Sequence, residues 1–378
     1  MMPLVKKAHF LGVLSLFLFF ASPDAISQKK RTAAADTSSF VYRTANWINQ
    51  MAEKGFLIIP VAFYSPETRI GVGIGGYYYF RLKKDSVTRP SSINLAAIYT
   101  QNRQAIFQMP VELAFDQNNY ILNIDPTLTR YPYRFYGIGN EVDLDSSELY
   151  SADIVRIKGS LMRRVRPKVF AGPVFRFEHQ TMRRLSEGGM LENNDIPGKQ
   201  GGNVWGLGGK LLLDFRNNIF TPTQGTYFSL QAYRLMGDYQ GTNIVGDLRK
   251  YFPVGEESSL AFQAYWEGWS GSPPFYMLAR MGGYYRMRGY FDGALRDKHF
   301  MQVQGEFRFP LFWRFGAAVF GSLGQVSNTA AIHRDHIRGA AGVGLRFLFN
   351  PKERINLRID YARGRNTSGL YLTVAEAF

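Results

Sequence analysis

The feature that most constrains the fold is a regular alternation of polar and apolar residues in the C-terminal third of the sequence. From Gln302 to Phe309, one set of alternate positions carries Gln302, Gln304, Glu306 and Arg308, and the other carries Val303, Phe307 and Phe309. Successive side chains of a β-strand point to opposite faces, so the two sets lie on opposite sides. A strand of this kind predicts a membrane β-barrel in which the polar set lines the lumen.

Two later segments show the same pattern, and they extend the prediction to the end of the chain. In the first we expect Val343, Leu345, Phe347 and Phe349 to face lipid, with Arg338, Gly342, Gly344 and Arg346 inside. In the second we expect Ile355, Leu357, Ile359 and Tyr361 outside and Asn356, Arg358 and Asp360 inside. Phe378 is in phase with Leu370, Leu372 and Val374, which places it on the lipid side.

The whole chain from residue 55 onward divides into sixteen such segments, separated by turn-rich gaps. The predicted strands are 55-63, 70-83, 92-101, 104-116, 119-130, 151-164, 168-181, 205-216, 225-235, 243-252, 259-269, 299-308, 313-324, 338-349, 354-363 and 369-378. The long gaps, 131-150, 182-204, 270-298 and 325-337, then fall on one face, as external loops do. The sequence therefore predicts an all-β fold, a sixteen-stranded antiparallel transmembrane β-barrel over 55–378.

The N-terminal residues predict export and a short periplasmic segment. Residues 1–27 carry Lys6 and Lys7, a twelve-residue apolar run from Phe10 to Ala21 and a small-residue cleavage site, which together predict a signal peptide. That run is too short to span a membrane as a helix. Residues 28–54 predict a periplasmic segment in which 40–54 form a short amphipathic helix, with a disordered leader as the alternative.

Composition narrows the classes of function. The chain has no cysteine, which excludes disulfides and thiolate metal sites, and its 45 Lys and Arg against 30 Asp and Glu give a net charge of +15. No nucleic-acid motif accompanies that charge, so we assign it to lumen arginines and to contacts with anionic lipid and lipopolysaccharide headgroups. We expect a monomeric barrel that binds no nucleic acid.

The motif Met287-Arg288-Gly289-Tyr290, in the longest predicted external loop, carries a family resemblance. Arg-Gly-Tyr alone is a weak signal, but Asp214-Phe215-Arg216 with Pro222-Thr223-Gln224-Gly225 precedes it and the alternating strands follow it. In this respect the chain resembles the barrel domain of the BamA/TamA outer-membrane assembly superfamily, also called bacterial surface antigen proteins. The resemblance is strong over 202–378 and looser over 55–184.

The resemblance implies a site inside the lumen. The family's sixth external loop inserts its Arg-Gly-Phe/Tyr tip into the barrel, so Arg288 is expected to pair with the acid at Glu306. The position of a second family acid holds Ser322 here, and Asp360 could substitute for it. The family also places folded POTRA modules before the barrel, and 28–54 is too short for one. This departure leaves the handling of client proteins in doubt.

Two functions remain open from the sequence. One is insertion, assembly or translocation of outer-membrane proteins, with client barrel proteins or a periplasmic partner. The other is a passive outer-membrane pore or structural barrel that shares the fold and lacks assembly activity. For the first, the seam between the first and last strands matters: Pro60 lacks a backbone N–H for one ladder, and Phe378 ends the partner strand. We expect the missing donor to fall on the ladder that closes the barrel, and a bulge at Pro60 without consequence is the alternative.

Other motifs favour structural explanations. Gly71 to Gly76 runs into a tyrosine-rich strand rather than a helix, so it does not predict nucleotide binding. His333 and His336 lie in a predicted external loop, and Gly268 to Gly271 lacks the spacing of a nucleophile elbow. We therefore expect no enzymatic activity, no cofactor and no metal, and we expect the protein in the bacterial outer membrane.

Overall fold

The computed structural model describes residues 55–65, 69–83 and 87–378. Residues 58–378 form one compact unit. The predicted signal peptide, 1–27, and the predicted helix in 28–54 lie outside the described residues. No helix among the described residues is long and apolar enough to cross a membrane.

Within the described ranges, nineteen strands make up almost all of the regular structure. In chain order they are β1 (Phe56–Ser65), β2 (Arg69–Phe80), β3 (Ser91–Thr100), β4 (Ala105–Gln108), β5 (Val111–Phe115), β6 (Tyr120–Phe135), β7 (Glu148–Arg166), β8 (Val169–Arg184), β9 (Gly201–Asp214), β10 (Gly225–Gly237), β11 (Gly241–Val254), β12 (Ser258–Trp269), β13 (Ala279–Met281), β14 (Leu295–Asp297), β15 (His299–Phe312), β16 (Phe315–Ser327), β17 (Arg338–Asn350), β18 (Ile355–Gly364) and β19 (Thr367–Val374). A one-turn helix, α1, spans Met190–Asn193, and a 3-10 turn spans Arg334–His336.

Seventeen of the strands belong to one antiparallel sheet, and β13 pairs with β14 in a separate hairpin. Strands β4 and β5 occupy one position, because both pair with β3 on one side and with β6 on the other. The interruption falls at Met109 and Pro110, where proline cannot donate to a ladder. The sheet thus has sixteen strand positions, each corresponding to one predicted segment. The predicted antiparallel β-barrel is confirmed.

The alternation seen in the sequence separates two environments. On β15 the side chains of Gln304 and Glu306 are 4% and 1% exposed, whereas Val303 on the opposite face is 54% exposed. Exposed apolar side chains therefore form the lipid-facing wall, and buried polar ones line the lumen. On β18, Asp360 is fully buried and Tyr361 is exposed, which follows the same pattern.

The expected lipid-facing positions near the ends of β17 and β18 depart from the pattern. Phe347, Phe349, Ile355 and Leu357 are buried by protein instead of exposed. Phe347 is covered by the rings of Trp313 and Phe315. Their centroids lie 5.9 and 5.3 Å from the centroid of the Phe347 ring. Phe349 coincides with a shift in register between Leu348 and Asn350. The alternation of polar and apolar residues alone does not reveal that aromatic side chains cover these positions.

The expectation for Phe378 is wrong. Strand β19 ends at Val374, and Ala375 adopts a left-handed backbone conformation with φ 64°. The chain turns there, and Phe378 is only 3% exposed. The last three residues therefore leave the lipid-facing phase of the strand.

Candidate functional site in the barrel lumen

The segment between β12 and β15, residues 270–298, lies in the lumen. Met281 and Leu295 in its hairpin, β13 with β14, are completely buried, and so is Phe275. These side chains belong to one apolar cluster with lumen residues of the barrel wall, among them Tyr150, Tyr233, Tyr265 and Phe300. The loop folds inward because its apolar residues find a matching aromatic surface there.

Two other loops cover this segment. The backbone N–H of Gly139 donates to the carbonyl of Arg296 at 2.9 Å, and that of Phe275 donates to the carbonyl of Pro197 at 2.9 Å. The side chain of Arg338 donates to the carbonyl of Asn140 at 2.7 Å. The long loops thus hold the inserted segment from the side on which it enters.

The tip, Met287–Tyr290, has a backbone that needs glycine at one position. Gly289 has φ 110°, and a Cβ atom there would lie 2.8 Å from backbone atoms of Arg363 and Gly364. Glycine therefore allows both the turn and the close approach to β18. Met287 is fully buried, with φ 47°, and its sulfur lies against Gly324 of β16.

Arg288 is held by two carboxylates from different strands. Its Nη2 lies 2.6 Å from Oε2 of Glu306 on β15, and its Nη1 lies 2.5 Å from Oδ2 of Asp360 on β18. The Arg288 side chain is 1% exposed and both carboxylates are completely buried. Charge-assisted hydrogen bonds are about twice as strong as those between neutral groups, and these are shielded from water.

The Arg288 guanidinium also lies over the ring of Phe320, whose centroid is 3.4 Å away. Phe320, not Ser322, is the cross-strand partner of Glu306. Ser322 pairs with Gln304, and its hydroxyl donates to the carbonyl of Ala340 at 3.5 Å. Among the described residues Ser322 makes no hydrogen bond to Arg288, so the second anchor comes from Asp360.

Three further arginines share the same carboxylates. Arg346 contacts Glu306 at 3.0 Å and Asp360 at 2.6 Å, and its Nε lies 3.3 Å from Glu376. Arg308 donates to Glu306 at 2.8 Å, and Arg358 lies 3.4 Å from Asp360. We call these seven side chains the lumen network: four arginines, namely Arg288, Arg308, Arg346 and Arg358, and three carboxylates, namely Glu306, Asp360 and Glu376.

The network also binds the residues that follow the last strand. Glu376 accepts from Asn356 at 2.8 Å as well as from Arg346. Arg308 donates to the backbone oxygen of Phe378 at 3.0 Å, and its guanidinium lies 5.3 Å from the Phe378 ring. One set of charges therefore joins the loop tip to the end of the chain.

Two tyrosines that the sequence analysis did not assign as anchors secure the tip. The hydroxyl of Tyr371 on β19 accepts from the N–H of Gly289 at 2.9 Å and donates to the carbonyl of Tyr290 at 3.3 Å. Tyr290 donates to the carbonyl of Gly339 at 3.2 Å, and its ring lies against Gly364. The sequence does hold one indication of this role for Tyr371, because Tyr371 lies on the face of its strand that is expected to line the lumen.

The stem of the loop makes a second, less buried contact. Arg286 lies 3.5 Å from Glu267 on β12, and its guanidinium stacks 4.0 Å from the Tyr265 ring. Among the described residues, no group of three or more His, Asp or Glu side chains could hold a metal ion.

The two predicted seam residues lie in different surroundings. Pro60 is exposed on β1, a strand that is hydrogen-bonded to β2. Phe378 is buried beside Arg308, inside the barrel rather than on its wall. The closing ladder between β1 and β19, and the effect of Pro60 on it, stay predictions.

The fold and the site together define an outer-membrane β-barrel whose lumen contains an inserted loop. The sequence from 91 to 378 matches the model of the Omp85 superfamily domain. The chain therefore belongs to the Omp85 superfamily, and the predicted family is confirmed. Its localisation is the outer membrane, and at the level of the family its function is of the assembly or translocation type.

Two solved structures have the same fold. BamA from Haemophilus ducreyi lacking POTRA domains 1-3 is 13% identical, with a TM-score of 0.55 over 85% of this chain and 69% of that chain. CdiB from Acinetobacter baumannii is also 13% identical, with a TM-score of 0.52 over 84% of this chain and 59% of that chain. At this identity the likeness shows the fold. No curated protein sequence matches the chain significantly.

Proposed function

We propose that this barrel takes part in the insertion, assembly or translocation of outer-membrane proteins, and that the Met287–Tyr290 tip keeps its lumen loop in place. The observation that carries the proposal is the position of Arg288 between Glu306 and Asp360, all three side chains being at most 1% exposed. A loop tip that contacts β15, β16, β18 and β19 braces the wall that ends at the last strand.

The packing of the loop supports this function over a diffusion pore. Phe275, Met281 and Leu295 are completely buried in the apolar cluster of the lumen, so the loop occupies the path that a solute would need. We propose a monomeric, non-enzymatic barrel without a cofactor, surrounded by lipid and lipopolysaccharide. It acts on client barrel proteins, and a periplasmic partner brings them to it.

Depletion of the protein, followed by a proteome of the outer membrane, tests the function. The proposal predicts that other barrel proteins decline and that the wild-type gene restores them. Arg288→Ala should fail to restore them, whereas Arg103→Ala, which removes an exposed arginine from another hairpin, should restore them fully. An unchanged outer-membrane proteome after depletion would leave a passive structural barrel as the function.

A disulfide across the seam tests whether β1 and β19 separate during activity. The natural chain has no cysteine, so Ile58→Cys can be combined in turn with Leu370→Cys, Leu372→Cys or Val374→Cys without side reactions. Oxidation of a pair that cross-links should abolish activity, and reduction should restore it. A locked barrel with full activity would show that opening at this seam is not required.

A further inference from the structure

The lipid-facing wall contains a groove whose floor is a row of small residues. Gly305 on β15 pairs with Gly321 on β16, which pairs with Ala341 on β17. Directly paired residues point to the same face of a sheet, and the neighbours of Gly305 and Gly321 on the same face are exposed apolar side chains. We call Gly305, Gly321 and Ala341 the small-residue row.

Larger side chains border the small-residue row on both sides. Towards the periplasm lie Phe307, Val319 and Val343, which are successive cross-strand partners. Towards the external loops lie Val303 and Leu323, which also pair with each other. Val303 and Leu323 line the cavity above the row, which has a volume of about 1130 Å³. A Cβ atom added at Gly321 would have no heavy atom closer than 3.9 Å, so the floor is open there, whereas at Gly305 the Phe262 ring would lie 3.2 Å away.

The row continues into charged residues at its two ends. On one side Ala341 pairs with Arg363 of β18, and on the other Gly305 pairs with Phe262, which pairs with Lys250 of β11. Arg365, in the turn after β18, lines the same cavity, and no acidic residue lines it. Lys250 donates to the hydroxyl of Thr226 at 3.0 Å. Arg363 and Arg365 are exposed and form no ion pair with another described residue.

The arginine end of the groove lies at the outer leaflet. Arg365 is in the turn between β18 and β19, which is at the same end of the barrel as the long segment 270–298. Long loops mark the external end of such barrels, and short turns mark the periplasmic end. A ligand with a negative charge at that depth belongs to the outer face of the membrane.

The dimensions and charges of the groove fit one kind of occupant. Adjacent strands lie about 4.8 Å apart, so the path from Lys250 to Arg363, across five strand spacings, is roughly 24 Å long. Strands of such barrels tilt by about 35 to 45°, so a path across them rises through roughly 14 to 17 Å, or about one leaflet of a hydrocarbon core about 30 Å thick. Guanidinium groups match phosphate geometry through paired hydrogen bonds, and a floor without side chains admits an acyl chain.

We infer that this groove is a binding site for the phosphorylated, multiply acylated glycolipid of the outer leaflet, lipopolysaccharide. One acyl chain lies over Gly321 and Ala341, and a phosphate on the sugar is bound by Arg363 and Arg365. The site is on the other face of the sheet from the lumen, because these side chains face outward. The tip reaches the same residues from inside through their backbone: Gly289 lies against Arg363, and the Tyr290 hydroxyl accepts from the N–H of Arg365 at 3.1 Å.

Binding of diphosphorylated lipid A to the delipidated full-length protein, measured by native mass spectrometry, tests the inference. Arg363→Gln combined with Arg365→Gln should weaken binding about tenfold or more, because charge-assisted hydrogen bonds to the phosphate are lost. Gly321→Leu should weaken it independently, because its side chain fills the floor of the groove. Phosphatidylglycerol, a phospholipid that carries one phosphate, should bind more weakly than lipid A to the wild type.

Matched controls separate the groove from general effects on the barrel. Arg103→Gln with Arg184→Gln removes two exposed arginines from other external positions, and Gly209→Leu adds a side chain at an open, outward position of β9. Both controls should bind lipid A like the wild type. Unchanged binding by the Arg363 and Arg365 variant would overturn the inference, as would equal affinity for lipid A and phosphatidylglycerol.

Discussion

Two ion-pair clusters on the barrel use the same chemistry in opposite surroundings. Asp153 on β7 contacts Arg130 at 2.8 Å and Arg183 at 2.5 Å, distances as short as those around Arg288. The two arginines of this rim cluster are 57% and 55% exposed, whereas Arg288 and its carboxylates are at most 1% exposed. Water and salt screen the first cluster and not the second.

The clusters also differ in what they connect. The rim cluster joins β6, β7 and β8, which are already paired through long ladders. The lumen network joins an inserted loop to β15, β17 and β18 and to the end of the chain. Burial and connectivity, rather than the number of ion pairs, therefore decide which cluster can fix the loop.

Glu306→Ala is expected to have the largest effect of any single change to these clusters. It leaves four buried arginines of the lumen network with two carboxylates. Removal of one member of a desolvated pair typically costs about 3 to 5 kcal/mol, and we expect the upper end of that range. Denaturant titration in detergent micelles measures the free energy of unfolding. Glu256→Ala, at an exposed turn, is the control, and an equal effect there would contradict the comparison.

Arg288→Ala is expected to destabilise less than Glu306→Ala. It leaves three arginines facing three carboxylates, so the cost should lie near the lower end of about 3 to 5 kcal/mol. The two changes combined should cost clearly less than their sum, because both remove the same contact. Double-mutant analysis of the unfolding free energies measures this coupling. Additive effects would show that the pair does not act as a unit.

Gly344→Ala should give an intermediate effect by crowding the network. A methyl group at this position would overlap Nη1 of Arg346 and Oδ1 of Asp360, which are hydrogen-bonded to each other. Overpacking of this kind costs about 1 to 3 kcal/mol. Gly339→Ala, where the nearest atom is 3.5 Å away on the flexible Leu323 side chain, is the matched control in the same titration. Equal stability of both variants would mean that the network adjusts freely.

Asp153→Asn should have the smallest effect. Its arginine partners are more than half exposed, so water replaces the lost contacts and the added salt of ordinary buffers already weakens them. Unfolding curves of this variant and of the wild type should coincide within error at 0.5 M salt. A loss comparable with that of Arg288→Ala would remove the distinction between the two clusters.

The sequence predicted the barrel well because a tilted strand with one face in lipid and one in the lumen needs alternating residues. All sixteen positions followed from that requirement. The hairpin of β13 with β14 did not, since three-residue strands inside the lumen are surrounded by protein and show no alternation. Alternation also could not foresee the turn at Ala375, where one residue with positive φ removes Phe378 from its phase.

The candidate site was predicted in part. The resemblance named Arg288 and Glu306, and strand parity put Asp360 in the lumen. Ser322 was included because of its position in the family pattern, but the register places Phe320 opposite Glu306. The role of Arg346 depends on Gly344 leaving room beside Asp360, and that relation spans two strands. A sequence pattern read along one strand does not contain it.

The charge balance of the lumen network has a consequence for reversibility. Without Arg288, the remaining arginines Arg308, Arg346 and Arg358 still match Glu306, Asp360 and Glu376 in number. Arg346 alone contacts all three carboxylates, so it can keep them in place while the tip is absent. After withdrawal, the tip would therefore return to a binding site that is still in place and has no net charge. Such a site suits a contact that breaks and forms again many times.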